Sequence, residues 1–183
     1  MIVVMAGLPG TGKTALSEAL ARELGGLALN KDILRTDLFS ENFVEYSAGQ
    51  DDFVQDLMQQ TAEYLLARHP ERIVFFDGRT FSRAYQIKNA IDTAERIATP
   101  WRVIECVCPE DVALERIREA KGHPAKNRTA ELYFKIRDSF EPIRYPKLVV
   151  DTSGDLRKSL DSVLEALMPD TAPEDSPGEC DSQ

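Results

Sequence analysis

The chain has 183 residues, 43% hydrophobic and 29% charged with a mean hydropathy of −0.31, which is enough to bury one sizeable core. Twenty-two Lys and Arg against 31 Asp and Glu leave a formal charge of −9, which argues against a grip on a long nucleic acid through phosphate neutralisation. No apolar run reaches the roughly 18 to 20 residues of a membrane span, and MIVVMAG lacks the basic region and cleavage site of a signal peptide, so a cytoplasmic protein with no membrane partner is expected.

In chain order, Ile2 to Ala6 reads as a buried strand and Lys13 to Leu24 as a helix, with a glycine-rich turn between them. A second strand fits Leu27 to Leu29. The run from Gln50 to Arg68 places Phe53, Val54, Leu57, Met58, Tyr64 and Leu65 at helical spacing. Arg72 to Phe76 gives a third strand, residues 82 to 97 a helix, and Trp101 to Val107 a fourth strand. Pro109 to Ala120 opens with proline and two acids in its first turn, a helix start. Leu148 to Val150 makes a fifth strand, and Asp155 to Met168 a final helix with one apolar stripe. Strands alternating with helices predict α/β architecture, a five-stranded parallel sheet with helices on both faces. The polar, basic stretch before the fifth strand reads as a lid, about 119–130, over the sheet edge. The domain expected is 1–168, followed by a disordered acidic tail at 169–183 that holds five acids and no Lys or Arg. Three cysteines and two histidines without paired spacing predict no structural zinc site.

Residues 7 to 14, GLPGTGKT, match G-x-x-x-x-G-K-[ST] between a strand and a helix. That loop wraps nucleotide phosphates with backbone N–H groups, here those of Gly7, Gly10, Thr11 and Gly12, while Pro9, which has no N–H, contributes shape. Lys13 would reach the β- and γ-phosphates of ATP and Thr14 would ligate Mg²⁺. Motor ATPases usually end a strand in Asp-Glu, whereas the third strand here ends FFDG. Asn30-Lys31-Asp32-Ile33 misses the guanine-reading N-K-x-D spacing.

Asp32-Ile33-Leu34-Arg35 forms D-x-x-R at the end of the second strand, the sheet edge where ligands of parallel sheets bind. There Asp32 would orient or deprotonate an acceptor hydroxyl and Arg35 hold the acceptor or the phosphoryl in transfer. The alternative is that Asp32 caps a helix and Arg35 is solvated. Asp77 ends the third strand beside the loop, and would either hold Mg²⁺ or cap the turn that follows. Arg79 and Arg83 would face a substrate anion, with a solvated helix face as the competing role of Arg83. Of the cations in and before the lid (Arg116, Arg118, Lys126 and Arg128), Arg116 and Arg128 are the ones expected to close over ATP. His123 reads as a loop residue.

With these anchors the sequence resembles small P-loop phosphotransferases, the group that includes adenylylsulfate kinases, polynucleotide 5′-kinases and zeta-toxin-like kinases. The resemblance covers roughly residues 1 to 168 and rests on GLPGTGKT, LNKDILR, VFFDGRTFSR and a strand ending VVDTSG. It implies a P-loop kinase-like three-layer sandwich with ATP and Mg²⁺ as cofactors. Asp32 and Arg35 would serve the acceptor, and the loop through Ser153 and Gly154 would run past the adenine. The implied activity is γ-phosphoryl transfer to the hydroxyl of a small, anionic or nucleotide-like acceptor, adenylylsulfate being one option. The rival is a nucleotide-dependent switch with slow hydrolysis. Two departures stand out: N-K-D-I-L-R replaces the D-G-D-N-x-R of adenylylsulfate kinases, and no clustered basic run provides the strand channel of polynucleotide kinases. The stretch Asp37 to Asp52, with Phe39, Phe43 and Tyr46 among acids, is expected to shape the acceptor pocket.

Overall fold

The computed structural model describes residues 1–120, 125 and 127–167. Most of the expected acidic-tail and central-lid positions, residues 168–183, 121–124 and 126, lie outside the described residues, and His123 and Lys126 with them.

Thirteen elements follow one another, five strands, seven α-helices and one 3₁₀ turn at Glu41–Phe43. The strands are β1 (Ile2–Ala6), β2 (Leu27–Asn30), β3 (Val74–Asp77), β4 (Trp101–Val107) and β5 (Leu148–Asp151). The helices are α1 (Lys13–Glu23), α2 (Lys31–Leu38), α3 (Ala48–Leu66), α4 (Ala84–Arg96), α5 (Glu110–Glu119), α6 (Ala130–Asp138) and α7 (Leu156–Leu167). All four strand pairings are parallel, in the order β2-β3-β1-β4-β5, with Val4 opposite Phe76 on one side and Val103 on the other. The expected five-stranded parallel sheet is therefore the one present.

The pleat divides β1 between two cores. Ile2, Val4 and Ala6 point into a layer filled by Val54, Met58 and Ala62 of α3 and Ile87, Ala90 and Ile91 of α4. Val3 and Met5 meet Leu16 and Leu20 of α1 and Leu160 and Val163 of α7. Every residue of β1 is buried, as a central strand covered on both faces demands. A third, smaller cluster joins Ala113 and Ile117 of α5 to Tyr133 of α6, with Leu8 of the P-loop against it. Helices α5 and α6 are thus packed against the P-loop.

Several element ends differ from the sequence reading by one or two residues, and two of these bear on the site. Helix α3 begins at Ala48, inside the stretch Asp37 to Asp52, because the Ser47 hydroxyl accepts from the Gln50 N–H and caps it. Strand β3 begins at Val74 and runs through Asp77, whose backbone pairs with Asn30 of β2. Both shifts bring side chains of the second and third strand ends and of α3 to the mouth of the P-loop.

Candidate functional site

The P-loop follows β1 and opens α1. Gly10 has φ 85°, a left-handed conformation that side chains disfavour, and a Cβ there would lie 2.4 Å from the Ala113 carbonyl oxygen. Glycine is therefore needed both for the turn and for the close approach of α5. Lys13 is buried, with Nζ donating to the carbonyls of Gly7 (2.9 Å) and Leu8 (2.7 Å). Burial pushes its pKa down to about 8, and the Asp77 carboxylate pulls against that shift without cancelling it. Thr11 hydrogen-bonds the Leu8 carbonyl, which closes the loop on itself.

Opposite the loop, Asn30 ties the ends of β2 and β3 to α2. Its Oδ1 accepts from the N–H groups of Asp32 (2.9 Å) and Ile33 (3.2 Å), so Asn30 is the cap of α2. Its Nδ2 donates to Asp77 Oδ2 at 2.7 Å. The capping alternative for Asp32 therefore falls to Asn30, and Asp32 is free for another task on the first turn of α2. Asp77 is 1% exposed and its second carboxylate oxygen has no hydrogen-bond partner among the described residues. Gly78 explains why the strand does not end in Asp-Glu. Its φ is 77°, and a Cβ would lie 2.6 Å from Asn30 Oδ1 and from the Lys31 nitrogen.

Asp32 Oδ1 meets Lys31 Nζ at 3.2 Å and Arg35 Nη1 at 3.3 Å. The closest contact of each cation with this carboxylate is to Oδ1. The first turn of α3 supplies two further carboxylates. Asp51 takes Lys31 at 2.9 Å and contacts Arg35, and Asp52 takes Arg79 at 2.6 Å with the Tyr85 hydroxyl beside it. Lys31, Arg35 and Arg79 are 5%, 1% and 6% exposed. Burial lowers the Lys31 pKa to about 8 and outweighs the neighbouring Asp32. The Arg35 guanidinium also lies 5.0 Å from the ring centroid of Tyr46, whose left-handed backbone, φ 51°, turns the side chain into the site. Arg83 lies elsewhere. It is bound to Glu141, which also accepts from the Ala84 N–H at 2.7 Å, and it is not part of the cavity wall.

One cavity of about 610 Å³ joins the halves, walled by Gly10, Lys13 and Thr14 on one side and Asp32, Arg35 and Arg79 on the other. Arg128 lines the same cavity; burial lowers its pKa, and the charges of Asp32 and Asp77 pull against that shift. Arg116 sits at the other end, donating to the carbonyls of Thr152 (2.7 Å) and Gly10 (3.5 Å). Of the loop after β5, Thr152 touches the P-loop, through its hydroxyl to the Thr11 carbonyl at 2.8 Å. Ser153 and Gly154 are exposed and do not line the cavity. Asn30, Lys31, Asp51 and Thr152 carry site geometry that residue type alone did not flag. The one available signal was an asparagine directly before a helical stretch.

A magnesium ion with nucleotide phosphates asks the protein for a hydroxyl and one or two carboxylates. Thr14, at the start of α1, and the buried, unpartnered oxygen of Asp77 fit that demand. Among the described residues no cluster of three or more His, Cys, Asp or Glu could hold a metal by itself.

A P-loop before the first helix and a parallel sheet in this order define a P-loop protein of kinase-like α/β fold. The profile of the AAA domain, AAA_33, matches residues 2–143, and the chain belongs to that family. It is similar to an L-seryl-tRNA(Sec) kinase of Methanococcus maripaludis, 24% identical over 173 residues, 90% of this chain and 65% of that one. The chain spans half to two thirds of the curated relatives it matches, 65% and 51%. A candidate kinase of Chloroflexus aurantiacus superposes with TM-score 0.70 at 25% identity, over 90% of this chain and 96% of that one. The APS kinase of Mycobacterium tuberculosis, in complex with AMPPNP and APS, superposes with TM-score 0.66 at 18% identity, over 91% and 96%. Among the described residues no helix is long and apolar enough to cross a membrane.

Proposed function

We propose that the protein is an ATP-dependent phosphotransferase that moves the γ-phosphoryl group to a hydroxyl of a small-molecule acceptor. The observation that carries the reading is the shared cavity, with Lys13 and Thr14 on one wall and Asp32 on the other. A hydrolytic switch has no need of a carboxylate held open on the acceptor side. The kinase-like fold and the AAA_33 match support the same class.

In this reading the nucleotide draws Lys13 Nζ off the Gly7 and Leu8 carbonyls and onto the β- and γ-phosphates. Arg116, fixed between Gly10 and Thr152, borders the base side. The acceptor oxygen attacks the γ-phosphorus in line, the bond to the β,γ-bridging oxygen breaks, and ADP leaves with that electron pair. Asp32 Oδ2 receives the hydroxyl proton, while Lys31 and Arg35 fix Oδ1 and so the carboxylate plane. Arg128 lies where charge accumulates on the transferring oxygens. Magnesium, held by Thr14 and Asp77, would neutralise phosphate charge. The stretch expected as a lid, 119–130, would close over the nucleotide and exclude water as a competing acceptor.

The test is a transfer screen with γ-labelled ATP, Mg²⁺ and pooled hydroxyl compounds. Label in an organic product that disappears in Lys13→Ala supports the reading. Label found only in inorganic phosphate refutes it.

A further inference from the structure

The cations at the ends of the second and third strands are already paired with carboxylates. Lys31 is paired with Asp32 and Asp51, Arg35 with the same two carboxylates although its buried Nε makes no hydrogen bond among the described residues, and Arg79 with Asp52. The carboxylates of Asp51 and Asp52 come from α3, whereas the cations come from α2 and the loop after β3, so the pairs also lock three elements together. All three cations are nearly inaccessible to water. A buried cation already paired with a protein carboxylate has little attraction left for a second anion. An entering phosphate, sulfate or carboxylate would also lie against Asp32 and Asp51, and like charges brought together in a dry pocket select against such a ligand. Of the remaining cations on the cavity wall, Lys13 belongs to the P-loop, Arg116 borders the Thr152 end, and Arg128 comes from the stretch before α6.

Resting on the phosphotransferase reading, we infer that the acceptor subsite takes an uncharged hydroxyl compound of the polyol, sugar or nucleoside class and rejects phosphate, sulfate and carboxylate derivatives. The site offers such a compound what it needs. Asp32 Oδ2 and the cavity-facing Asp51 accept hydroxyl protons, and the ring of Tyr46 with the Ile33 side chain presents an apolar face to the ring or chain carbons. Asp51 is then the specificity-determining residue, because it neutralises Lys31 and Arg35 at once.

The experiment has two arms. In the first, the protein saturated with Mg²⁺ and a non-hydrolysable ATP analogue is titrated with inorganic sulfate at constant ionic strength, and binding is read by calorimetry and by arginine side-chain NMR. The wild type is expected to show no saturable sulfate site, and Asp51→Asn, with Lys31 and Arg35 released, to bind at least about tenfold more tightly, the factor a single freed charge-assisted contact supplies. Should Asp51→Asn fail to fold, Asp52→Asn, whose carboxylate is more exposed and which releases Arg79, reads the same effect. Saturable sulfate binding to the wild type that Lys31→Met abolishes overturns the inference. In the second arm, γ-labelled ATP is offered with neutral polyols, sugars and nucleosides in one pool and phosphate, sulfate and carboxylate derivatives in another. Label in the neutral pool supports the inference and label confined to the charged pool overturns it. With no transfer to either pool the phosphotransferase reading fails, and the sulfate titration still decides the charge selectivity of the pocket.

Discussion

Raising the pH should weaken nucleotide binding by an amount that Lys13 sets. Its ammonium is buried and held on the Gly7 and Leu8 carbonyls, with a pKa lowered to about 8 by the loss of solvent. Phosphate oxygens around Nζ favour the charged form, so the pKa rises in the complex. The protonated lysine is the form that binds. Affinity is therefore flat below about pH 8 and falls as pH climbs through it, by up to tenfold per unit. Between pH 7.5 and 9.5 the uncharged fraction of the free protein grows enough to weaken MgATP binding by about 25-fold, or about 1.9 kcal/mol. At pH 8 about half a proton should enter the complex with each nucleotide. Calorimetry in two buffers of different ionisation enthalpy measures that uptake directly. Cys106 does not interfere, because burial pushes its thiol up to about 12. Uptake should fall in Lys13→Met, any remainder belonging to Lys31, whose pKa burial also lowers to about 8. A pH-independent affinity, or equal uptake in the variant, would refute the reasoning.

Three other substitutions probe other parts of the site. Asp32→Asn should leave ATP affinity within about twofold and reduce transfer by about 10² to 10⁴, read by steady-state kinetics on the acceptor found in the screen. Gly10→Ala places a Cβ 2.4 Å from the Ala113 carbonyl at a positive φ, and should cost at least about 1 to 2 kcal/mol of stability and most nucleotide binding. Asn30→Ala removes the cap of α2 and the one hydrogen-bond partner of the Asp77 carboxylate among the described residues, which should cost about 2 to 4 kcal/mol in chemical denaturation.

The sheet and its helices were legible because their signals are local. IVVMA and RIVFF are continuous apolar runs, and α1, α4 and α7 show their stripes within a dozen residues. The P-loop was legible because eight adjacent residues carry it. What stayed hidden depends on partners far apart in the chain. Lys31 meets Asp51 across 20 residues, and Arg83 meets Glu141 across 58. Nothing near Arg83 distinguishes a side chain bound to a distant glutamate from one facing a substrate. Likewise Asp32 resembled a helix cap because an acid near a helix start usually is one. The Asn30 side chain, held by Asp77 from the next strand, takes that role and leaves the carboxylate one turn edge further into the cavity.

Acceptor-dependent ADP formation tests the central claim most directly. ADP and inorganic phosphate are counted in the same reaction, with the acceptor identified in the screen added or withheld. The account predicts that the acceptor raises ADP formation without an equal release of phosphate, and that Asp32→Asn removes the rise. Phosphate released in step with ADP, at a rate that no hydroxyl compound changes, would contradict it.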